Sequence, residues 1–266
     1  SSNCMISILG IPLDENSSFL RGPAKAPQLI MEAFYSDASN MFAENGIDCG
    51  DQSKFTNLGD LQLPSGNSAM NLIQKTVEKQ LDQDQMVLSL GGDHSITFPI
   101  IQAYAQKYNN LNILHFDAHP DLYDNFDNNP YSHASPFARI MENNLVDRLV
   151  QVGIRTLNTH QKSQAERFGV EIIEMIDFDP EVIFTFDGPV YISIDMDGLD
   201  PAFAPGVSHF EPGGLSTRDI IRIIHQLKGN VIGSDVVEYN PDRDINNMTA
   251  MTAAKLMKEI LGKMAL

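Results

Sequence analysis

The chain has 266 residues, 42% of them apolar, and a formal net charge of −17 at pH 7. That apolar fraction can build a sizeable core and excludes a disordered chain. So acidic a surface disfavours nucleic acid and anionic membranes as partners, and it is compatible with a small cationic substrate.

Taken in order, eight short apolar runs read as strands: 5–11, 56–61, 86–90, 111–116, 149–154, 170–176, 190–194 and 231–237. Several are almost continuously apolar, as expected where helices cover both faces of a sheet. Helical patterns lie between them. Ser68 is placed to cap a helix with Leu72, Ile73, Val77 and Leu81 on one stripe. Ser216 and Asp219 have capping-box spacing ahead of Ile220, Ile221, Ile223, Ile224 and Leu227. Residues 248–264 carry Met251, Ala254, Met257, Leu261 and Met264 at helical intervals. Strand–helix alternation without a linker predicts a single domain over 1–266, an α/β/α three-layer sandwich around a mostly parallel eight-stranded sheet.

No apolar run reaches the ~20 residues of a membrane span, and no signal peptide or Arg-rich leader is visible. Cys4 and Cys49 form neither a metal nor a redox spacing. A reducing cytoplasm is the expected home, with the opening Ser1-Ser2-Asn3 leaving room for a removed organellar leader.

The chemistry concentrates where strands end. Asp117-Ala118-His119-Pro120-Asp121 and Asp195-Met196-Asp197 follow two of the apolar runs. In an extended chain, residues two apart share a side, so their ligand atoms converge. Gly91-Gly92-Asp93-His94-Ser95 follows a third run. Parallel sheets bind ligands beyond the carboxyl ends of their strands. That many acids on one face repel unless cations sit between them. Asp and His without Cys suit Mn²⁺, Zn²⁺, Fe²⁺ or Co²⁺. Asp117, Asp121, Asp195 and Asp197 balance two divalent ions in charge, with His94 and His119 neutral. A hydroxide between the ions leaves the cluster negative, which favours a cationic substrate. Two such ions can supply hydroxide at neutral pH, so the reaction class is hydrolysis at electrophilic carbon or phosphorus.

Other residues are open to two readings. His133 is either a loop histidine or a proton carrier beside the centre. Glu238, at the end of the 231–237 run, is either an exposed strand-end acid or a partner for a planar cation through two parallel hydrogen bonds. His115 alternates onto the face of Asp117 and fits a supporting role. His209 lies in a Gly/Pro loop just past the second acidic segment. His160 and His225 read as ordinary surface or helix residues.

The three strand-end motifs, in this order and separation, resemble the ureohydrolases, the arginase and agmatinase superfamily, over nearly the whole chain. Residues 16–23, 131–140, 204–214, 236–241 and 248–251 resemble plant-type arginases most. The resemblance implies two Mn²⁺ ions per subunit. His94 and Asp121 would hold one, His119 and Asp197 the other, and Asp117 and Asp195 would bridge. It implies attack of a metal-bridging hydroxide on the guanidinium carbon, with Asp121 taking its proton. His133 would shuttle a proton to the leaving amine, and Glu238 would hold the guanidinium. It also implies a homo-oligomer, a trimer or hexamer.

The substrate expected from this is L-arginine, hydrolysed to L-ornithine and urea. The alternative is agmatine or another guanidino acid. The Ser-Gly-Asn loop that binds the amino-acid end in animal and bacillus-type arginases has no counterpart in 122–132. Asn158 stands in place of the acid that meets the α-amino group, and His209 in place of a threonine near the guanidinium. Asn125, Asn128, Ser132 and Asn158 are the candidates for a carboxylate clamp. Two further readings, a di-metal phosphoesterase and a catalytically silent binding protein, fit less well. The chain has few basic residues and no phosphate-cradling loop, and every expected ligand position is filled.

Overall fold

The computed structural model describes residues 5–266, so the readings placed on Ser1-Ser2-Asn3 and Cys4 lie outside the described residues. Eight strands form one sheet: β1 (Ile6–Ile11), β2 (Phe55–Asp60), β3 (Met86–Gly91), β4 (Asn112–Phe116), β5 (Arg148–Ile154), β6 (Glu171–Glu174), β7 (Thr185–Asp195) and β8 (Lys228–Val237). Their spatial order is β2-β1-β3-β8-β7-β4-β5-β6, and every neighbouring pair is parallel.

Seven α-helices cover the two faces: α1 (Ala26–Phe34), α2 (Asn67–Asp82), α3 (Thr97–Lys107), α4 (Pro136–Glu142), α5 (Thr159–Phe168), α6 (Thr217–Gln226) and α7 (Met248–Met264). Alternation along each strand splits the core in two. Ile6, Ile8, Leu114, Phe116, Ile192 and Ile194 pack with α1, α6 and α7. Leu9, Ile11, Val87, Ile113 and Tyr191 pack with α2, α3 and residues of α4. With both faces buried, the strands have no polar side to show, hence the continuous apolar runs. None of the helices described is long and apolar enough to cross a membrane.

Four boundaries differ from expectation by two residues or more, one of them the start of β8, which at Lys228 lies three residues ahead of its apolar run. The α2 helix begins after Gly66, and Ser68 is an exposed first-turn residue rather than the cap; Gly66 has φ +68°, which turns the chain into the helix without a side-chain cap. The β6 strand stops at Glu174 and the chain turns through a 3₁₀ segment at Met175–Asp177. As the edge strand it pairs only with β5, and Glu174 faces Ile154, where β5 ends. The β7 strand starts at Thr185, earlier than its apolar run, because Thr185 and Pro189 already pair with Lys228 and Asn230 of β8. The capping box at Ser216 and Asp219 is formed in both directions, a device that contributes about 1 kcal/mol to a helix start.

Candidate metal centre and substrate cavity

Strand order decides where the site lies. β3, β8, β7 and β4 are the four adjacent central strands, and their carboxyl ends carry His94, Glu238, Asp195 with Asp197, and Asp117 with His119 and Asp121 respectively. The turn after β3 depends on Gly92. It has φ +60°, and a Cβ there would lie 2.5 Å from the Leu13 carbonyl oxygen, so only glycine lets the chain swing His94 inward.

The Nδ1 atom of His94 lies 3.2 Å from Asp117 Oδ2, 3.0 Å from Asp121 Oδ2 and 3.2 Å from Asp195 Oδ2. The Nδ1 atom of His119 lies 3.3 Å from Asp117 Oδ1 and 3.1 Å from Asp197 Oδ2. Among the described residues there are therefore two groups of ligand atoms, and Asp117 belongs to both. One of these groups also contains His115.

Hydrogen bonds behind the centre orient its rings. Ser193 Oγ donates to Asp235 Oδ1 at 2.7 Å, so it accepts from His94 Nε2 at 2.9 Å. Asp235, itself fully buried, also takes hydroxyls from Thr97 and Tyr191, each at 2.8 Å. The Nδ1 lone pair of His94 is thereby left facing three carboxylate oxygens, acceptors against an acceptor. Only a proton or a cation on that line makes the arrangement stable. His115 is different. Gln151 Nε2 donates to its Nδ1 at 3.1 Å, so its Nε2–H donates to Asp117 Oδ2 at 2.8 Å. Burial holds the His115 pKa down to about 4, and the ring supports Asp117 as a neutral donor.

The electrostatics fit a pair of divalent cations. Burial, and then the neighbouring charge of Asp117, pushes Asp121, Asp195 and Asp197 above the usual carboxylate range. Burial alone would keep His94 and His119 neutral, but the surrounding carboxylates raise both well above the ordinary imidazole range. The protein side chains lack the positive charge that this cluster demands. An oxygen and imidazole donor set of this kind suits hard-to-borderline divalent metals.

A cavity of about 230 Å³ opens over the centre, lined on its inner side by His119, Asp121, Asp195, Asp197 and Glu238. Asp121 and Glu238 both have left-handed backbones, with φ of 50° and 70°. Such residues cost of order 1–3 kcal/mol each. They are held by Phe137 N–H to the Asp121 carbonyl at 3.2 Å and by Glu238 N–H to the Gly92 carbonyl at 2.8 Å. Glu238 Oε1 accepts His94 N–H at 2.7 Å and pairs with His133 Nδ1 at 2.8 Å. Its Oε2 has no hydrogen-bond partner among the described residues. The expected pair of free oxygens is thus one anchored oxygen and one open one. Burial works against a charge on either partner of this pair. Even so, the Glu238 carboxylate lifts His133 to about 9, and His133 holds Glu238 below the usual range.

The loop residues divide. His209 lines the cavity, with its ring centroid 5.6 Å from that of His133. Asn158 is exposed and stands behind the wall: its Oδ1 caps α5 through Gln161 N–H, and its Nδ2 donates to Tyr123 OH at 2.5 Å. Asn125 and Asn128 face a separate depression beside Arg139. Ser132 is buried, and its Oγ accepts Ala134 N–H. His160, exposed as expected, stacks on Tyr123 with ring centroids 5.6 Å apart. His225 bonds the buried Glu259 between α6 and α7.

Six lining residues were not visible as such in the sequence: Ser18, Tyr123, Phe126, Ala134, Thr156 and Gln161. Ser18 sits against His133 Nε2: its backbone N–H, 3.0 Å away, is received there when the ring is neutral, and its Oγ, 2.7 Å away, accepts from that nitrogen when the ring is protonated. The only sequence signal for these residues was their position near motifs: Tyr123 two residues after Asp121, and Gln161 three after the cap Asn158.

A profile of the Arginase family matches residues 4–262. The chain belongs to the arginase family. It is 48% identical over 276 residues to "Arginase 1, mitochondrial" of Arabidopsis thaliana, covering 97% of this chain and 81% of that protein. It is 32% identical to an agmatinase of Bacillus cereus, covering 96% of this chain and 90% of that protein. Among solved structures of the arginase fold, the arginase from Medicago truncatula superposes with a TM-score of 0.94 at 45% identity, over 98% of this chain and 88% of that one.

Proposed function

We propose that this arginase-family chain hydrolyses L-arginine to L-ornithine and urea at a pair of Mn²⁺ ions. What carries the reading is the cluster of His94, His119, Asp117, Asp121 and Asp197, joined by Asp195 3.2 Å from His94, at the ends of β3, β4 and β7 and beside an acid–histidine pair that lines the cavity. It is supported by the arginases of Arabidopsis and Medicago among its relatives.

The residues divide the work. His94 and Asp121 would hold one ion and His119 and Asp197 the other, with Asp117 and Asp195 between them. Bound there, the ions would supply a strongly acidified water as nucleophile at neutral pH. Glu238 Oε2 receives the planar guanidinium and turns its carbon toward the centre. Asp121 accepts the proton given up by the attacking water. His133, held between Glu238 and Ser18, carries a proton to the departing amine. Buried His115 and the Ser193–Asp235 pair keep the ligands in one orientation. A homo-oligomer, a trimer or hexamer, is part of the same proposal. A cytoplasmic home fits the free, buried Cys49, and an organelle fits the Arabidopsis relative's name; the chemistry is the same in either.

A second reading, agmatine as substrate, is favoured by one feature: no Lys or Arg lines the cavity to meet a carboxylate. Urea release from arginine, agmatine and 4-guanidinobutyrate in the presence of Mn²⁺ decides between the two. Arginine is expected to be turned over fastest; an enzyme that releases urea from agmatine alone ends the arginase assignment.

Manganese should also stabilise the fold, because the ligands converge only when β3, β4 and β7 are in place. At free Mn²⁺ ~100 times Kd the gain is about 2.7 kcal/mol, a rise of several degrees in Tm for a chain of this size. A melting curve unchanged by chelation and by added Mn²⁺ would count against a cation-binding cluster.

A further inference from the structure

We infer that Gln161, helped by Tyr123, receives the carboxylate of the substrate and makes this chain prefer arginine to agmatine; the inference rests on the ureohydrolase reading above. Gln161 is 2% exposed yet lines the cavity. Its Oε1 is occupied, accepting Leu122 N–H at 3.2 Å. That fixes the amide so that Nε2 is the remaining group, and Nε2 has no hydrogen-bond partner among the described residues. An amide donor held open at a cavity wall, on a side chain otherwise buried and fixed, is placed to meet a ligand acceptor.

Tyr123 lies on the same wall. Its hydroxyl oxygen accepts Asn158 Nδ2, which leaves its own hydrogen to be donated. Both side chains are positioned by the first turn of α5: Gln161 belongs to that turn, and Asn158 is its cap. The positive end of the α5 dipole lies beside them and favours an anion. The acids that line the cavity, Asp121, Asp195, Asp197 and Glu238, are all at the strand ends where the guanidinium goes. The outer wall therefore offers neutral donors and no acid, a surface for the carboxylate that arginine has and agmatine lacks. This accounts for how a cavity without Lys or Arg can still take an amino acid.

The test is Gln161→Glu in the full Mn²⁺-loaded protein. Glutamate keeps the acceptor for Leu122 N–H, removes the donor and adds a negative charge, so the wall stays in place while its polarity reverses. The kcat/KM ratio of arginine to agmatine is expected to fall about 10- to 100-fold, the loss of a hydrogen bond to a charged group. The 4-guanidinobutyrate to agmatine ratio should fall with it. Calorimetry gives a second readout: L-ornithine, which has the carboxylate, should bind the variant more weakly, and putrescine, which lacks it, should not follow. Should Gln161→Glu fail to fold, Gln161→Met removes the same donor without adding charge, and the ratio is again expected to fall. Arginine and agmatine losing activity in step would overturn the role of Gln161 while leaving the ureohydrolase reading intact. A wild-type protein silent on all three substrates would overturn both.

Discussion

Asp121→Asn is expected to lower urea release by roughly 10²- to 10⁴-fold, the range for losing a positioned proton acceptor, and to lower the manganese bound per chain as well. Asp121 is asked to do two things. Its Oδ2 faces His94 Nδ1 at 3.0 Å, where a cation would lie between them, and its carboxylate takes the proton of the attacking water. An amide can imitate the shape of that group but carries no charge and accepts no proton. Asparagine is also the fair replacement on backbone grounds. Asp121 has φ +50°, and asparagine is among the few residues that tolerate the left-handed region, so loss of fold is not the expected cause of lost activity. Metal analysis and a urea assay on the same preparation give the answer. Full metal and full turnover in Asp121→Asn would rule out the site as drawn, and His119→Asn should behave alike from the other ion's side.

For Glu238→Gln the expected pattern is the opposite split: turnover falls while manganese stays. Glu238 is not among the proposed ligands. It is buried, its Oε1 holds His94 N–H and His133, and its open Oε2 is the counter-charge for the guanidinium. Removing one partner of a buried ion pair costs about 3–5 kcal/mol, which corresponds to roughly 10²- to 5 × 10³-fold in kcat/KM. Glutamine can still accept from the His94 N–H, so the turn that presents His94 survives. Loss of metal in step with activity would instead mean that Glu238 acts by holding the turn after β3, and would remove it from the substrate's side of the site.

Legibility varied along the chain for physical reasons. Strands buried on both faces declare themselves as apolar runs, and β1, β3, β4, β5 and β8 were readable within a few residues. The edge strand β6 ends two residues short of its apolar run, because its end depends on how far its neighbour β5 runs, and the start of β7 was the least readable, since Thr185 pairs with β8 five residues ahead of the apolar run. The Ser216 cap was readable because its partner lies three residues away. The start of α2 was misread because Ser68 matches the pattern, whereas Gly66 sets the turn by its backbone alone. Asp117, His119 and Asp121 converge by the pleat of an extended chain, so their alternate spacing was sufficient. The neighbours of His133 were out of reach: Ser18 and Glu238 are 115 and 105 residues away in the chain.

Local sequence therefore determined the ligand types, their spacing at strand ends and the α/β alternation, since each depends on periodicities of only two to four residues. Only the tertiary structure decided that β3, β8, β7 and β4 lie side by side, and so which strand ends share a site. It alone placed Asn158 behind the cavity wall and Gln161 within it. Crossover connections can order parallel strands in many ways with the same local patterns, and the selection among them is made by how the two helical layers pack against the sheet.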